Sequence, residues 1–302
     1  MNKKILIFGG SGFIGSELTK ALLDKKYKVL VICRHQDEAL ASIGKRKNFQ
    51  TQSIDVFNEV EVQKVVKKSD VVVNLIGKLF ESQRDDFKNY HYIFPEILSK
   101  IVPSSKQLIH ISALDVEKSA QTSVYAATKL EGQNAVIKNS KNYNILKPSL
   151  VFGEKDNFFN QFARMVKTSP CIPLIGGGKT KFAPIYIEDL VSSIVFLIEH
   201  NKKYKNRIFE AHGPKKLTFK QLIQFIVKTL HKKRLLITLP FPLAKLLARF
   251  MNLFKIYRLT PDQVELLKYD NICSKNYDNI DVLIGKLADY KKIVPKYLLK
   301  NN

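Results

Sequence analysis

The stretch KILIFGGSGFIGSELTKALLDKK, residues 4–26, decides the fold of this chain. Its first five residues, KILIF, are a short apolar run that predicts a buried strand. The turn GGSGFIG follows directly, and FIGSELTKALLDKK then carries apolar residues at helical spacing. The stretch therefore predicts a strand, a tight glycine turn and an amphipathic helix in immediate succession.

Three glycines of this turn, Gly9, Gly12 and Gly15, make the pattern GxxGxxG. Glycine permits the backbone conformation of the turn, the close approach of main-chain N–H groups to a pyrophosphate, and tight packing of the helix on the strand. Because the pattern follows a strand and opens a helix, it predicts a dinucleotide-binding site. Glycines kept only for packing are the alternative interpretation.

The alternation of strand and helix continues along the first half of the chain. Strands that alternate with crossover helices form a parallel sheet with helices on both faces. We therefore expect an α/β fold, a doubly wound parallel sheet of the Rossmann type. The predicted strands are 4–8, 29–33, 49–54, 71–76, 107–112 and 143–147, with helices near 59–67, 87–101 and 125–138.

No linker rich in Pro, Gly or Ser divides the 302 residues, and 45% of them are hydrophobic, enough for a large core. We expect one continuous body with a dinucleotide-binding domain over residues 1–150 and a smaller, mixed but mostly helical lobe over residues 151–302. The helical candidates in the second half are 157–167, 188–200, 218–230 and 240–256.

The residues after the second strand bear on the choice of cofactor. An NAD(H) site would carry Asp or Glu about 20 residues past the glycines, where it bonds the ribose 2′-hydroxyl. This chain has Arg34 and His35 there, and a guanidinium suits the 2′-phosphate of NADP(H). NADP(H) is therefore favoured, while Asp37 and Glu38 keep NAD(H) possible. Asp55, after the third strand, is a candidate contact for the adenine ring or a turn former.

Tyr125 and Lys129 are four residues apart on a predicted helix, so both side chains point from one face. A lysine beside a phenol favours the phenolate and can anchor the nicotinamide ribose, which makes the tyrosine a usable general acid or base. After the fifth strand, this pair is typical of the active-site helix of a short-chain dehydrogenase/reductase. Ser112 is the candidate residue whose hydroxyl would orient a substrate carbonyl. If the functional position is Ala113 instead, the triad of Ser, Tyr and Lys is incomplete. His110 is predicted to be a packed core residue.

With these residues in place, the chain resembles the extended and atypical short-chain dehydrogenase/reductase superfamily. Further stretches are similar to the group that contains the nucleotide-binding accessory subunit of respiratory complex I and its bacterial relatives, and the resemblance spans nearly the whole chain. It implies a bound NADPH without demonstrated turnover, in a subunit that supports the assembly and stability of complex I. The alternative is an active NADP-dependent oxidoreductase or a nucleotide-sugar epimerase/dehydratase. These stretches are DVVVNLIG (70–77), HISALDVE (110–117), ILKPSLVFGEKDNFFNQFA (145–163), PLIGGGKTKFAPIYIEDLV (173–191) and LTPDQVELLKYDNI (259–272).

The resemblance also implies roles for individual positions. Arg34 would read the adenosine phosphate, and Tyr125 and Lys129 would lie at the nicotinamide ribose. The remaining positions implied are Gly9, Gly12, Phe13, Ile14 and Gly15 for the pyrophosphate, Leu75, Ile76 and Gly77 for the adenine and ribose, and Pro148 and Ser149 for the nicotinamide.

Positive charge is concentrated in the last third of the chain. The net charge is +23, and residues 201–302 hold 22 Lys and Arg against 7 Asp and Glu, with no acidic residue between Glu210 and Asp262. Such a segment favours an anionic neighbour. There is no basic recognition helix and no aromatic stacking set, so a nucleic acid is not expected as a partner.

The stretch PFPLAKLLARFMNLFKIY, residues 240–257, predicts a helix with Lys245, Arg249, Asn252 and Lys255 on one narrow stripe. Apolar residues fill the rest of its circumference, which is too wide an apolar face for an ordinary surface helix. The apolar run is also too interrupted for a bilayer span, which needs about 20 apolar residues. Two interpretations stay open: a helix buried in the second lobe, or one at an anionic membrane surface or a membrane-bound partner.

Cys33, Cys171 and Cys273 are scattered without the spacing of a disulfide framework or a zinc site, which favours a reducing compartment and predicts no metal site. The first strand begins at Lys4, which leaves no room for a signal peptide. The expected location is therefore a bacterial cytoplasm, with a peripheral position on the cytoplasmic face of the inner membrane as an option.

Overall fold

Strands and helices alternate along the first half of the chain, and short strands recur in the second, in a computed structural model that describes residues 3–34, 41, 43–44, 46–254 and 259–300. The strands are β1 (Lys4–Phe8), β2 (Lys28–Ile32), β3 (Phe49–Gln52), β4 (Val71–Asn74), β5 (Gln107–Ile111), β6 (Tyr143–Pro148), β7 (Val151–Phe152), β8 (Cys171–Ile175), β9 (Lys181–Phe182), β10 (Ile185–Tyr186), β11 (Arg207–Ala211), β12 (Leu217–Thr218) and β13 (Leu235–Leu239). The α-helices are α1 (Phe13–Asp24), α2 (Glu59–Lys67), α3 (Phe94–Ile101), α4 (Val116–Ser119), α5 (Val124–Asn139), α6 (Phe158–Thr168), α7 (Ile187–Glu199), α8 (Asn201–Tyr204), α9 (Phe219–Thr229), α10 (Phe241–Leu253), α11 (Pro261–Leu266), α12 (Asp281–Ile284) and α13 (Tyr290–Leu298). A π-helical turn, Lys88–Ile93, leads into α3.

The central sheet has seven strands in the order β11-β6-β5-β4-β1-β2-β3, each parallel to its neighbours. This arrangement confirms the predicted doubly wound sheet of the Rossmann type. The direction in which the chain crosses the sheet reverses between β1 and β4. Open α/β sheets bind their ligands at such a reversal, outside the carboxyl ends of the strands.

Helices cover both faces of this sheet. On one face α1 and α7 pack together over a core that includes Leu18, Leu22 and Ile194. On the other face α2 and α3 bury Val62 and Leu98. Because both faces are covered, β1, β4 and β5 are nearly continuous apolar runs without a polar, solvent-facing side.

The strands and helices predicted for the first half are confirmed, although four strands end one or two residues earlier than predicted. β4 ends at Asn74, and the apolar residues Leu75 and Ile76 already belong to the loop beyond it. A sequence pattern cannot separate an apolar strand residue from an apolar residue that lines a ligand cavity, so the predicted strands run into the binding loops.

The second half of the chain returns to the sheet. β11 pairs with β6 as the seventh strand, and α7 packs on α1. A second core lies between α6, α9 and α13, around Phe159, Leu222 and Val294. The sequence pattern missed β7 to β13, of which β7, β9, β10 and β12 have two residues each and are too short to display a period of two. The domain boundary at residue 150 stays a prediction.

Helix α10 lies at the protein surface, so the interpretation that buries it in the second lobe is wrong. Its buried residues are Ala244 and Ala248, which pack beside Val264 of α11. These small side chains let α10 lie close to α11, and the large side chains therefore point outward. Among the described residues, no helix has both the length and the apolar character that a membrane crossing requires. The exposed apolar residues on and directly after α10 are Leu243, Leu246, Leu247, Phe250, Leu253 and Phe254.

Candidate cofactor site

Each glycine of the turn between β1 and α1 has a distinct structural setting. Gly9 has a φ of +79°, and a Cβ there would lie 2.9 Å from the backbone of Leu75 and Ile76. A Cβ at Gly15 would lie 2.3 Å from the carbonyl oxygen of Gly9, so glycine lets α1 pack on the turn. At Gly12 the nearest atom would be 3.4 Å away, which leaves this position open. Packing alone therefore explains Gly15 but not Gly12, whose setting suits the approach of a ligand.

The amino terminus of α1 is suited to an anion. Gly12 is the N-cap residue and provides no side-chain cap, and the first turn contains no acidic residue. The first N–H groups of a helix have no partner within the helix and carry the positive end of its dipole. Phe13, Ile14 and Gly15 supply these groups, and their contact with a pyrophosphate stays a prediction. By contrast, α2 has a side-chain cap and two acidic residues in its first turn.

A cavity of about 430 Å³ opens beside this turn and is called the glycine-turn cavity below. Its volume lies in the range of small-molecule sites. Because the carboxyl ends of parallel strands meet at one edge of the sheet, residues that follow β1, β2, β3 and β4 share its walls. The predicted cofactor residues that line it are Gly9, Gly12, Arg34, Asp55, Leu75, Ile76 and Gly77.

Further side chains that the sequence did not indicate line this cavity, among them Lys78 and Tyr90. The Lys78 ammonium lies 4.8 Å from the centroid of the Tyr90 ring and 2.7 Å from the Asp86 carboxylate. The Tyr90 ring lies 5.4 Å from that of Phe57, which also lines the cavity. Lys78 follows the predicted Gly77 directly and could have been found from it. Tyr90 belongs to the π-helical turn, whose irregular geometry no sequence period reveals.

Arg34 is exposed at the edge of the glycine-turn cavity. An exposed guanidinium there is available to an anion. His35, Asp37 and Glu38 lie outside the described residues. Asp55 accepts a hydrogen bond from the backbone N–H of Phe57 at 2.9 Å and also lines the cavity, so it forms a turn at a place where it can meet a ligand.

Lys129 is buried next to the floor of this cavity. Its ammonium donates a hydrogen bond to the carbonyl oxygen of Ile111 at 2.9 Å, and a Cβ at Gly77 would lie 3.4 Å from its Nζ. An ammonium has three N–H donors, so it retains capacity for a ribose hydroxyl. Burial lowers the pKa of Lys129 to about 8. Burial, followed by the charge of Lys129, lowers the pKa of the neighbouring His91 to about 2.

Tyr125 is half-buried at the start of α5, with its ring centroid 5.1 Å from that of His91 and 5.7 Å from that of Phe87. Burial, and after it the charge of Asp262, raise the pKa of Tyr125 to about 12. The phenol is therefore neutral at neutral pH. The sequence-based prediction that Lys129 favours the phenolate is wrong for this structure, because burial and a nearby carboxylate both favour the protonated form.

Asp262 is the residue of the Tyr125 environment that sequence analysis missed. Its carboxylate accepts hydrogen bonds from the Ser123 hydroxyl at 2.9 Å, the Val124 N–H at 2.7 Å and the Tyr125 N–H at 3.3 Å. A carboxylate stabilises the positive amino terminus of a helix. Asp262 is 137 positions from Tyr125 along the chain, so no local pattern reveals this contact.

The candidate hydroxyl of Ser112 is buried, and its Oγ has no hydrogen-bond partner among the described residues. Ala113 is half-buried, so the more exposed of the two candidate positions carries no hydroxyl. His110 is a core residue, as predicted, and its Nδ1 lies 3.2 Å from the Asn74 amide nitrogen. Burial, followed by the charge of Lys129, lowers the pKa of His110 to about 3.

Pro148 and Ser149, predicted to lie beside the nicotinamide, are the last residue of β6 and the residue after it, and they do not line the glycine-turn cavity. The Ser149 hydroxyl lies 2.6 Å from the side-chain oxygen of Asn271 and 3.0 Å from its carbonyl oxygen. The Asn271 amide in turn donates to the carbonyl oxygen of Leu114 at 3.1 Å. Asn271 therefore connects the chain segments that follow β5 and β6.

An open parallel sheet that presents a glycine turn where its strand order reverses is the architecture of dinucleotide-binding α/β proteins. The fold of this chain is accordingly an NAD(P)-binding fold. The sequence profile of the NAD dependent epimerase/dehydratase family matches residues 5–211, and the chain belongs to this family.

Two relatives and one solved structure illustrate the similarity. The chain is 26% identical to NADH dehydrogenase (ubiquinone) 1 alpha subcomplex subunit 9, mitochondrial, of Arabidopsis thaliana, over 94% of this chain and 75% of the relative. It is 25% identical to the subunit of the same name from Rattus norvegicus, over 92% of this chain and 74% of the relative. The fold is similar to that of UDP-glucuronic acid 4-epimerase from Bacillus cereus, solved with UDP-glucuronic acid and NAD, with a TM-score of 0.75 and 20% identity over 99% of this chain and 100% of that one. The predicted resemblance to the complex I accessory subunit is confirmed.

Proposed function

We propose that the protein binds NADP(H) as a structural cofactor and supports the assembly or stability of respiratory complex I. The observation that carries this proposal is a segment from the second half of the chain, residues 259–271, which is called the closing segment below. It is hydrogen-bonded to the amino terminus of α5, where Tyr125 lies, and to the residues that follow β4, β5 and β6, which together border the proposed cofactor cleft. A protein that retains a cofactor benefits from such closure, whereas an enzyme needs room for a substrate beside this tyrosine.

The closing segment contacts three walls of the cleft. Asp262 caps the amino terminus of α5. The Gln263 amide donates a hydrogen bond to the carbonyl oxygen of Leu79 at 3.1 Å, in the loop after β4. Asn271 bonds the loop after β5 and the Ser149 hydroxyl. One short segment thus fixes the positions of the elements that would surround a nicotinamide.

Residues of both ends of the cleft would hold the cofactor. The N–H groups at the start of α1 would bind its pyrophosphate, Arg34 its 2′-phosphate, and Lys129 and Tyr125 its ribose hydroxyls. When bound, NADP(H) supplies a hydride donor or acceptor. The neutral Tyr125 and the buried Lys129 serve as hydrogen-bond donors in this arrangement, without a proton leaving either group.

The choice of NADP(H) over NAD(H) rests on Arg34. Its guanidinium is exposed at the edge of the glycine-turn cavity, where two N–H donors can bond a phosphate. Asp37 and Glu38, the acids that would favour NAD(H), lie outside the described residues. Measured affinities for NADPH and NADH therefore decide between the two cofactors.

The relatives suggest the partner, and α10 suggests how the protein reaches it. The relatives from A. thaliana and R. norvegicus are named as subunits of a ubiquinone-reducing NADH dehydrogenase. Along α10, Lys245, whose ammonium is paired with Glu265 at 2.6 Å, and the exposed Arg249 lie on one flank. Leu246, Phe250 and Leu253, which are 63%, 60% and 77% exposed, lie on the next. A helix with adjoining cationic and apolar flanks binds at an anionic membrane interface. We place the protein at the membrane surface beside complex I.

The test is purification of the tagged protein from gently solubilised native membranes of its own organism, with mass spectrometry and an NADH:quinone activity assay on the eluate. Stoichiometric complex I subunits with activity are the expected result. The matched control is a variant with Leu246→Ser, Phe250→Ser and Leu253→Ser, which removes the exposed apolar flank of α10 and should release the protein from the membrane fraction. Recovery of the wild type alone, without those subunits, would contradict the proposal.

The alternative is an active NADP-dependent oxidoreductase or a nucleotide-sugar epimerase/dehydratase. The observation that favours it is the presence of Tyr125 and Lys129 on α5, together with the unpartnered hydroxyl of Ser112. Hydride exchange with a carbonyl or sugar-nucleotide substrate, lost in Tyr125→Phe, would establish this function. Cofactor retention without exchange across such a substrate panel would exclude those substrate classes.

A further inference from the structure

The carboxyl end of β11 carries a cluster of side chains that can ligate a metal, outside the cofactor site. A carboxylate oxygen of Glu210, an imidazole nitrogen of His212 and the Sγ of Cys273 all lie within 4.8 Å of one another. Glu210 and His212 are two residues apart at the end of a strand, so they share one face, while Ala211 between them is buried in the core. Cys273 follows the closing segment by two residues.

Neighbouring groups already orient two of these side chains. The N–H of Ser274 lies 3.0 and 3.1 Å from the two carboxylate oxygens of Glu210. The Nδ1 of His212 lies 3.1 Å from the carbonyl oxygen of Gly213, a contact that favours a proton on Nδ1 and leaves the lone pair on Nε2. Asn279 bonds both the N–H and the carbonyl oxygen of His212, at 3.0 and 3.2 Å. The imidazole therefore projects from a fixed stretch of backbone.

The Glu210 carboxylate is also buried, and Lys147, its register partner on β6, is paired with Glu117 instead. Glu210 is 1% exposed, and among the described residues no Lys, Arg or His forms an ion pair with it. Lys118 is near enough to interact electrostatically, but its ammonium is paired with Asp115 at 3.0 Å. Buried carboxylates are usually paired with a cation or coordinate a metal.

We propose that Glu210, His212 and Cys273 bind a divalent cation of the zinc class. Thiolate, imidazole and carboxylate are the donor groups that Zn²⁺ takes in proteins, and three protein ligands leave the fourth position for water. Ligand atoms of a tetrahedral zinc site lie about 3.5 Å apart, so the three side chains need to approach one another by about 1 Å. The ion joins the chain beyond the closing segment to the end of the central sheet. The spacing of the cysteines predicted no metal site, because the fold brings these ligands together over 63 positions.

The test is a Co²⁺ titration of the full-length, reduced and metal-stripped protein, because a cobalt–thiolate bond gives a near-ultraviolet charge-transfer absorption. We expect this absorption to saturate at one equivalent and to disappear when Zn²⁺ displaces the cobalt. Cys273→Ser should abolish it, and the matched control Cys171→Ser, at another half-buried cysteine, should retain it. His212→Gln should weaken Zn²⁺ binding at least about 100-fold, since loss of a group that only orients a ligand already costs about 10–100-fold.

A second readout separates a lost ligand from a lost fold. The melting temperatures of the wild type and of Cys171→Ser should rise as the Zn²⁺ concentration rises. The melting temperature of a folded Cys273→Ser should not change. Circular dichroism without metal verifies that each variant is folded. A folded wild type without thiolate absorption, or an absorption that persists in Cys273→Ser, would overturn the proposal.

Discussion

The two ends of the cofactor cleft are built in opposite ways. At the glycine turn, backbone groups, the exposed Arg34 and side chains such as Asp55 and Tyr90 surround an open cavity of about 430 Å³. At the Tyr125 end the polar groups are buried, and the closing segment bonds directly to them. An open end for recognition and an end whose elements are fixed by the closing segment suit the proposed retention of a cofactor. The comparison implies that mutations can separate cofactor binding from proton chemistry.

Gly12→Asp should have the largest effect, a loss of cofactor affinity at the open end. The backbone at Gly12, with φ −73° and ψ 176°, accepts any side chain, and a Cβ has room there. The new carboxylate caps α1 but repels the pyrophosphate, and such a contact between like charges costs several kcal/mol. We expect the affinity for NADPH, measured by calorimetry, to fall at least about 100-fold while the protein stays folded.

Thr218→Asp is the matched control for that charge. Thr218 is the N-cap of α9, in the second half of the chain, so the variant places the same carboxylate on a different helix terminus. Its affinity for NADPH should equal that of the wild type. Equal losses in Gly12→Asp and Thr218→Asp would show that the glycine turn is not the pyrophosphate site.

Arg34→Asp should change the affinities for NADPH and NADH by different amounts, which tests the role of Arg34 at the open end. A hydrogen-bonded charge contributes about 1.5–3 kcal/mol, so the affinity for NADPH should fall about 10–100-fold, with a much smaller change for NADH. Arg84→Asp changes a fully exposed arginine outside the cavity and should affect neither affinity. The same loss for both cofactors in parallel titrations would remove the role assigned to Arg34.

Lys129→Met should stabilise the protein without cofactor, because it removes a buried charge. The folded-state pKa of Lys129, about 8, lies below its ordinary 10.5. Between these pH values the unfolded chain binds the extra proton, so the stability of the wild type rises as the pH rises. The advantage of the variant should be about 1–3 kcal/mol at pH 7 and should shrink toward pH 10.5.

Urea denaturation at several pH values measures this difference. The control Lys138→Met, at an exposed position of the same helix, should change the unfolding free energy by less than about 0.5 kcal/mol at every pH. A Lys129→Met protein that is less stable than the wild type at pH 7 would show that the ammonium is well solvated in its site.

Asp262→Asn tests the contact between the closing segment and α5, with the smallest expected effect. Loss of the charged acceptor at the helix terminus should lower the unfolding free energy by about 1 kcal/mol. It should also lower the pKa of Tyr125, because the charge of Asp262 raises it. An NMR titration with labelled tyrosine, assigned through Tyr125→Phe, measures the shift. An unchanged pKa, with Asp281→Asn as the exposed control, would contradict the assigned influence.

The open end of the cleft was predictable from sequence, and the closed end was not. Gly9, Arg34 and Gly77 directly follow apolar runs of the sequence, and these runs predict strands. The local order along the chain therefore predicts the position of the three residues in the fold. Asp262 and Asn271 reach the cleft through tertiary contacts across more than 120 positions. Burial, and after it the charge of Asp262, raise the pKa of Tyr125 where the sequence predicted a lower one, because a sequence pattern does not report burial or the charges that packing brings close.

Helix α10 shows a similar limit. The sequence predicts its length and its cationic stripe, but the choice between burial and exposure depends on what packs against it. Ala244 and Ala248 form the seam with α11, and this narrow contact leaves the large apolar residues outside. The pattern of small residues at a spacing of four is visible in the sequence, although its partner helix is not.

The structural role of the cofactor is tested most directly by introducing Gly12→Asp and Tyr125→Phe separately at the chromosomal locus. Native electrophoresis and NADH:quinone activity then measure the amount of assembled complex I in each strain. If the cofactor is structural, Gly12→Asp should lower the amount of assembled, active complex I, while Tyr125→Phe, which retains NADPH, should leave it at the wild-type level. A Tyr125→Phe strain as deficient as the Gly12→Asp strain would contradict the account and establish that proton transfer at Tyr125 is required.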